Sequence, residues 1–193
     1  MAKLHIALFF IPFFLSSIFH ISKAQSKEPV DPFFEIPIRP NPRRAEKSAA
    51  IRVYVQDAFS GSNATVWEVA TAKITGNSST LFGQVMVLDD KLTSKPERNS
   101  TEVGRAQGLT TSSGFGEYAL TMNVNVLFTA GEYNGSTLCI VGRNLIGQKE
   151  RELPIVGGTK LFRMARGYAI SNTYSYDPVE NYAVLEYTFY VYY

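Results

Sequence analysis

The 193-residue chain carries 19 Lys and Arg against 17 Asp and Glu, so it has no charge excess to hold nucleic acid or an anionic membrane surface. A single cysteine, Cys139, excludes an internal disulfide and a thiolate metal cluster. The only histidines, His5 and His20, lie in the N-terminal apolar stretch, which leaves the rest without an imidazole for Ser-His-Asp catalysis or a histidine-ligated metal.

Lys3, the apolar run from Leu4 to Ile18 and the small-residue site Ser22-Lys23-Ala24 read as a secretory signal peptide over residues 1–24. Pro12, Ser16, Ser17 and His20 interrupt the run and no basic stop-transfer cluster follows, which argues against a membrane anchor. Cleavage after Ala24 removes Lys3 and Lys23 and leaves 17 basic residues against 17 acidic ones in a secreted, extracellular protein. Residues 25–49 hold Pro29, Pro32, Pro37, Pro40 and Pro42, which favour an extended arm, with Arg43, Arg44 and Lys47 as solvated charges. Residues 50–193 suit one domain with a single core.

In that domain the dominant period is two. Tyr118, Leu120, Met122, Val124, Val126 and Phe128 alternate with Ala119, Thr121, Asn123, Asn125 and Leu127, as in an antiparallel strand with one apolar face. Comparable runs at 52–57, 65–72, 83–88, 103–110, 136–143, 162–170 and 183–192 bring the expectation to eight strands and no long helix. Turn pairs such as Asn134-Gly135 and Gly157-Gly158 favour hairpin connections. These patterns leave a closed barrel and a sandwich both open.

Two glycine-rich segments do not carry nucleotide chemistry. Gly114-Phe115-Gly116-Glu117-Tyr118-Ala119 fits a dinucleotide fingerprint by letter, but a strand rather than a helix follows it. Gly157-Gly158-Thr159-Lys160 lacks phosphate-loop spacing and is expected to be a loop. Cys139, in an alternating apolar run, reads as a buried small hydrophobe. Asn63, Asn77, Asn99 and Asn134 each open an Asn-x-Ser/Thr sequon and are the expected glycosylation sites.

The segments FGQVMVLDDKLT (82–93), VGRAQG (103–108), GEYNGSTL (131–138), GGTKLFRMARGYA (157–169) and EYTFYVYY (186–193) occur in an order that resembles the plant dirigent family over residues 51–193. The resemblance implies an all-β fold, an eight-stranded antiparallel barrel of the allene-oxide-cyclase-like kind, assembled as a homotrimer. Eight strands enclose room for one small ligand, and the 13% aromatic content supplies flat apolar walls for a phenolic ring.

The resemblance also places the candidate site. Asp57 matches the strand-terminal aspartate that faces the family's pocket, here after Gln56 instead of the usual histidine, and a desolvated carboxyl there suits a general acid. Its alternative is an aspartate capping a turn. Arg151 matches an arginine placed near the pocket, where it would steady a phenolate; a surface ion pair with Glu150 or Glu152 is the alternative. Where lignan-forming members carry Gly-Ala-Asp-Pro, this chain reads Gly142-Arg143-Asn144-Leu145, so Asn144 would bind a substrate oxygen without supplying an acid proton. Of Asp89 and Asp90, adjacent and therefore on opposite strand faces, at least one is expected in a structural turn role.

The leading functional expectation is a secreted dirigent protein that fixes the geometry of phenoxy-radical coupling, with oxidation supplied by a separate laccase or peroxidase. No metal or organic cofactor is expected in the chain itself. The alternatives implied by the family are dehydration of an isoflavanol through a quinone methide, and a non-catalytic cell-wall or defence protein.

Overall fold

A computed structural model describes residues 45–193; the signal-peptide reading and most of the arm fall outside them. Nine strands follow in chain order: β1 Ser48–Ala58, β2 Val66–Ala70, β3 Val85–Thr93, β4 Glu102–Ser112, β5 Ala119–Phe128, β6 Thr137–Leu145, β7 Arg151–Gly158, β8 Arg166–Asp177 and β9 Tyr182–Tyr192. From β3 to β9 every strand pairs antiparallel with the next, and β1 closes the circuit by pairing with both β9 and β3. The result is a closed barrel of eight staves, because β2 does not add a ninth. It pairs with Val85–Leu88 of β3, on the edge whose other end, at Lys91–Thr93, is taken by β1.

The eight-stranded barrel is as expected, but the chain has nine strands where the pattern reading counted eight, since that count included β2 and passed over β7. β7 lies in a segment that Pro154, Gly157 and Gly158 disguise, and Gly157-Gly158 ends this strand instead of forming a turn. The run assigned to 162–170 is a short 3-10 turn, Lys160–Phe162, followed by the true β8. β1 begins at Ser48, within the stretch assigned to the arm, and backbone hydrogen bonds between Lys47 and Tyr193 extend its pairing with β9. Leu120, Met122, Val124, Val126 and Phe128 face inward along β5 as the alternation requires.

The two ends of the barrel differ. Phe128, Tyr133, Phe162, Phe189 and Tyr193 pack ring against ring at one end, with centroids from 5.0 to 6.5 Å apart. Such a cluster buries a large apolar area and closes that end. At the other end Phe59, Trp67, Leu81, Tyr118 and Tyr176 ring an opening into a cavity of about 830 Å³. Its walls are chiefly aliphatic, from Val55, Leu88, Met122, Val124, Ile140 and Leu153. Room for it comes partly from β4, which turns Gly104, Ala106 and Gly108 inward. A Cβ at Gly108 would lie 2.1 Å from the carbonyl oxygen of Asn123, so the close approach of β5 demands glycine there.

Candidate functional site

Period-two geometry brings the first polar pole together. Val53, Val55 and Asp57 share the inner face of β1, and Leu88, Asp90 and Leu92 share that of β3. The register Tyr54 to Thr93, Val55 to Leu92 and Gln56 to Lys91 makes Asp57 and Asp90 the next cross-strand neighbours. Both line the cavity, and the surface that Asp57 keeps opens into it.

Burial is the main cause that pushes the Asp57 carboxyl well above its usual range; the Asp90 charge and a hydrogen bond to Asp90 push the same way, and Arg151 offsets part of it. Asp90 is raised to about 6, again mainly by burial, against the opposing hydrogen bonds from Thr65 and Asp57. Two like charges at adjacent positions in a dry wall resist simultaneous ionisation. Both shifts run toward the protonated form, and at Asp57 burial, the Asp90 charge and the Asp90 hydrogen bond all act in that direction, which makes it the stronger candidate to carry a proton. Asp57 is a pocket carboxyl, not a turn cap.

A second pole lies across the barrel. In the eight-stave circuit β6 is four staves from β1, and β7 is four from β3. The ladder between β6 and β7 runs from Leu138 and Gly158 to Ile140 and Ile155 and stops at Pro154, which has no N–H to give. Beyond that point lie Asn144 and Arg151, 3% and 4% exposed, both lining the cavity. Arg151 donates from Nη1 to the carbonyl oxygen of Ile146 at 3.3 Å and from Nη2 to Ser171 Oγ at 3.2 Å, while its Nε has no partner. Asn144 donates from Nδ2 to Met122 Sδ at 3.7 Å, and its Oδ1 is likewise unsatisfied. Among the described residues Arg151 forms no ion pair; Glu150 and Glu152 are exposed, which removes the surface-pair alternative. An unpaired donor and an unpaired acceptor, both buried, are costly unless a ligand completes them.

Other expectations are corrected. Asp89 and Asp90 sit in the middle of β3, not in a turn. Asp89 faces outward and accepts from Arg105 Nε at 2.9 Å and Gln107 Nε2 at 3.1 Å; the Arg105 bond holds its carboxyl below the usual range. Cys139 points to the outer face, partly exposed, and its thiol donates to Asn125 Oδ1 at 3.2 Å. Asn63, Asn77, Asn99 and Asn134 are all exposed in connecting segments. The pattern reading missed Asp90 as a pocket acid, along with Thr65 and Ser171, which hold Asp90 and Arg151 by hydrogen bonds.

A closed antiparallel barrel with an apolar, single-mouthed cavity and two buried polar poles defines a small-molecule site rather than a macromolecular one. The family model described as "Dirigent-like protein" matches residues 48–192. Dirigent protein 1 of Arabidopsis thaliana is 45% identical over 148 residues, which cover 77% of this chain and 80% of that protein. Pterocarpan synthase 1 of Glycyrrhiza echinata is 38% identical over 183 residues, covering 94% of this chain and 93% of its own length. The solved structure of the pterocarpan synthase dirigent protein GePTS1 superposes with a TM-score of 0.69 at 42% identity, covering 77% of this chain and 86% of that one. The chain belongs to the dirigent family.

Proposed function

We propose that this protein binds a neutral phenolic molecule across its barrel and governs the fate of a quinone methide there, with Asp57 as the proton donor. The observation that carries the reading is the pair of adjacent carboxyls, Asp57 and Asp90, on a dry wall of the cavity facing the unsatisfied Arg151 and Asn144. On this reading the two side chains turn toward a phenol hydroxyl, its hydrogen meeting Asn144 Oδ1 and its oxygen meeting Arg151 Nε, which completes both orphans. The cavity volume of about 830 Å³ suits a molecule of two or three rings.

The preferred reaction is loss of water from an isoflavanol-type alcohol. Asp57 gives its proton to the departing hydroxyl, whose C–O electron pair leaves with water. As electron density flows from the phenol oxygen at the Arg151 pole into the ring, the phenol hydrogen passes to water and the quinone methide forms, its oxygen accepting from Arg151; that oxygen takes a proton back from water when the ring regains its aromaticity. A second hydroxyl of the substrate then adds to the electrophilic carbon, and the displaced proton returns to Asp57. One water is lost overall and the acid is restored.

A second reading, guidance of phenoxy radicals made by a separate laccase or peroxidase, is supported by the same apolar walls, which orient rings without redox chemistry. The four exposed sequon asparagines fit a secreted glycoprotein. An outward row of Val87, Leu109, Asn123 and Val141, paired across β3 to β6, supplies an uncharged face for the proposed homotrimer.

Product analysis with and without an added oxidase tests these readings. Cyclised product from an isoflavanol without oxidase is the expected result. Product from monolignols only, with changed enantiomeric excess and only when oxidase is present, would favour the second reading. No effect in either assay would overturn both.

A further inference from the structure

Thr65 occupies the break between β1 and β2, and it is tied on every side. Its N–H donates to the carbonyl oxygen of Ala58 at 2.9 Å, and its own carbonyl accepts from the N–H of Asp89 at 3.0 Å. Its Oγ1 accepts from the N–H of Ala58 at 3.1 Å and donates to Asp90 Oδ1. A hydroxyl has a single hydrogen. With the backbone of Ala58 already giving a hydrogen to Oγ1, and Ala58 fixed beside Asp57, the one hydrogen of Thr65 is directed at Asp90. Asp90 must then accept there, which favours its ionised form.

We propose that Thr65 is a positioning residue that assigns the single proton of the carboxyl pair to Asp57, the member open to the cavity, by holding Asp90 as a hydrogen-bond acceptor. The inference rests on Asp57 as the pocket acid, and it adds how that acid is kept loaded. Thr65 is also the third residue of the sequon Asn63-Ala64-Thr65, so one hydroxyl serves both the acceptor signal for a glycan and the acid pair. Substitutions that abolish the sequon at Thr65 and at Asn63 therefore have different consequences.

Charged and titratable groups felt by the pair are Tyr182 and Tyr187 of β9, Arg105 of β4, Asp89 of β3 itself and, from across the barrel, Arg151 of β7. None of them is altered by a change at position 65, so a shift seen there reports the Thr65 hydrogen bond.

The test is a pH titration of the protein carrying ¹³C-labelled aspartate carboxyls, made in a secretory host. Only five aspartates are present, and Asp57→Asn and Asp90→Asn identify the two relevant signals. In Thr65→Val, which keeps shape and removes the donor, the Asp90 signal is expected to titrate higher by roughly one pH unit, the size of a lost charge-assisted hydrogen bond. Thr65→Ser restores the wild-type curve, and Asn63→Gln, which removes only the glycan, leaves it unchanged. If Thr65→Val does not fold, Thr65→Cys takes its place, with a weaker donor and a smaller shift in the same direction. An unshifted Asp90 curve in a folded Val or Cys variant, or an equal shift in Asn63→Gln, overturns the proposal. Failure of the catalytic reading looks different: Asp57→Asn would retain turnover while the Thr65→Val titration still moved.

Discussion

The two polar poles of the cavity are built from the same material, inward side chains on antiparallel strands, yet they are finished differently. At the β1 and β3 pole the polar groups meet one another: Asp57 and Asp90 are cross-strand neighbours, and Thr65 caps Asp90. At the β6 and β7 pole they do not, since Asn144 Oδ1 and Arg151 Nε stay unpaired in a buried wall. A self-satisfied pole stores a proton without a ligand, whereas an unsatisfied pole gains most when a ligand arrives. On the proposed function, the contrast separates a group that reacts from groups that hold.

Changes that exchange these characters break the comparison, and the largest effect is expected at the reacting pole. Asp57→Asn keeps size and loses the transferable proton, so turnover of an isoflavanol should fall by about 10²-fold or more while circular dichroism stays unchanged. Full turnover with a native spectrum would show that Asp57 only shapes the wall. At the holding pole, Arg151→Gln should cost about tenfold to 10²-fold, with product selectivity falling alongside rate, as measured by chiral chromatography. A loss confined to KM would mean that Arg151 binds substrate and transition state alike.

Stability sharpens the comparison from the other side. Burial raises Asp90 to about 6 in the folded protein against 3.8 for a free carboxyl, so folding favours its protonated form. The stability it contributes is therefore full below its unfolded value and is lost as pH rises through about 6. Wild-type Tm should decline between about pH 4 and 6 from this source. Asp90→Asn should flatten that decline and raise Tm at pH 7 by a few degrees, at about 2–4 °C per kcal/mol for a chain of this size. Calorimetry from about pH 4 to 7 decides it. An Asp90→Asn variant less stable at pH 7 than wild type would show that the ionised carboxylate is a net structural asset.

The smallest effect is expected from Asn144→Asp, which places a carboxyl beside Arg151 and makes the holding pole resemble the reacting one. It should shift the product distribution in an oxidase-coupled assay more than it changes total consumption. An unchanged distribution would mean that position 144 does not read the substrate.

Much of this was legible in the chain. The alternation of Leu120 to Phe128 gave β5 its inner face, and the strand-end position of Asp57 put a carboxyl at the cavity wall. β7 was hidden because Pro154, Gly157 and Gly158 are turn-forming residues, and only the neighbouring strands make their conformation a strand. Gly142 shares in that context: a Cβ there would lie 2.6 Å from Pro154 Cδ, a contact between two strands that no local pattern displays. Asp90 could be read as facing opposite to Asp89, but its meeting with Asp57 depends on the register of strands more than thirty residues apart. Thr65 was absorbed by the sequon that it completes, and its second role appears only once Ala58 and Asp90 are brought to its hydroxyl.

The central claim is that one carboxyl of the pair is protonated at neutral pH and that it belongs to Asp57. Infrared difference spectroscopy at pH 7, comparing wild type with Asp57→Asn, tests it most directly through the C=O stretch of a neutral carboxylic acid. The account predicts such a band in the wild type and its loss in the variant. A wild-type spectrum containing only carboxylate bands at pH 7, or a neutral-acid band that survives Asp57→Asn unchanged, would contradict it.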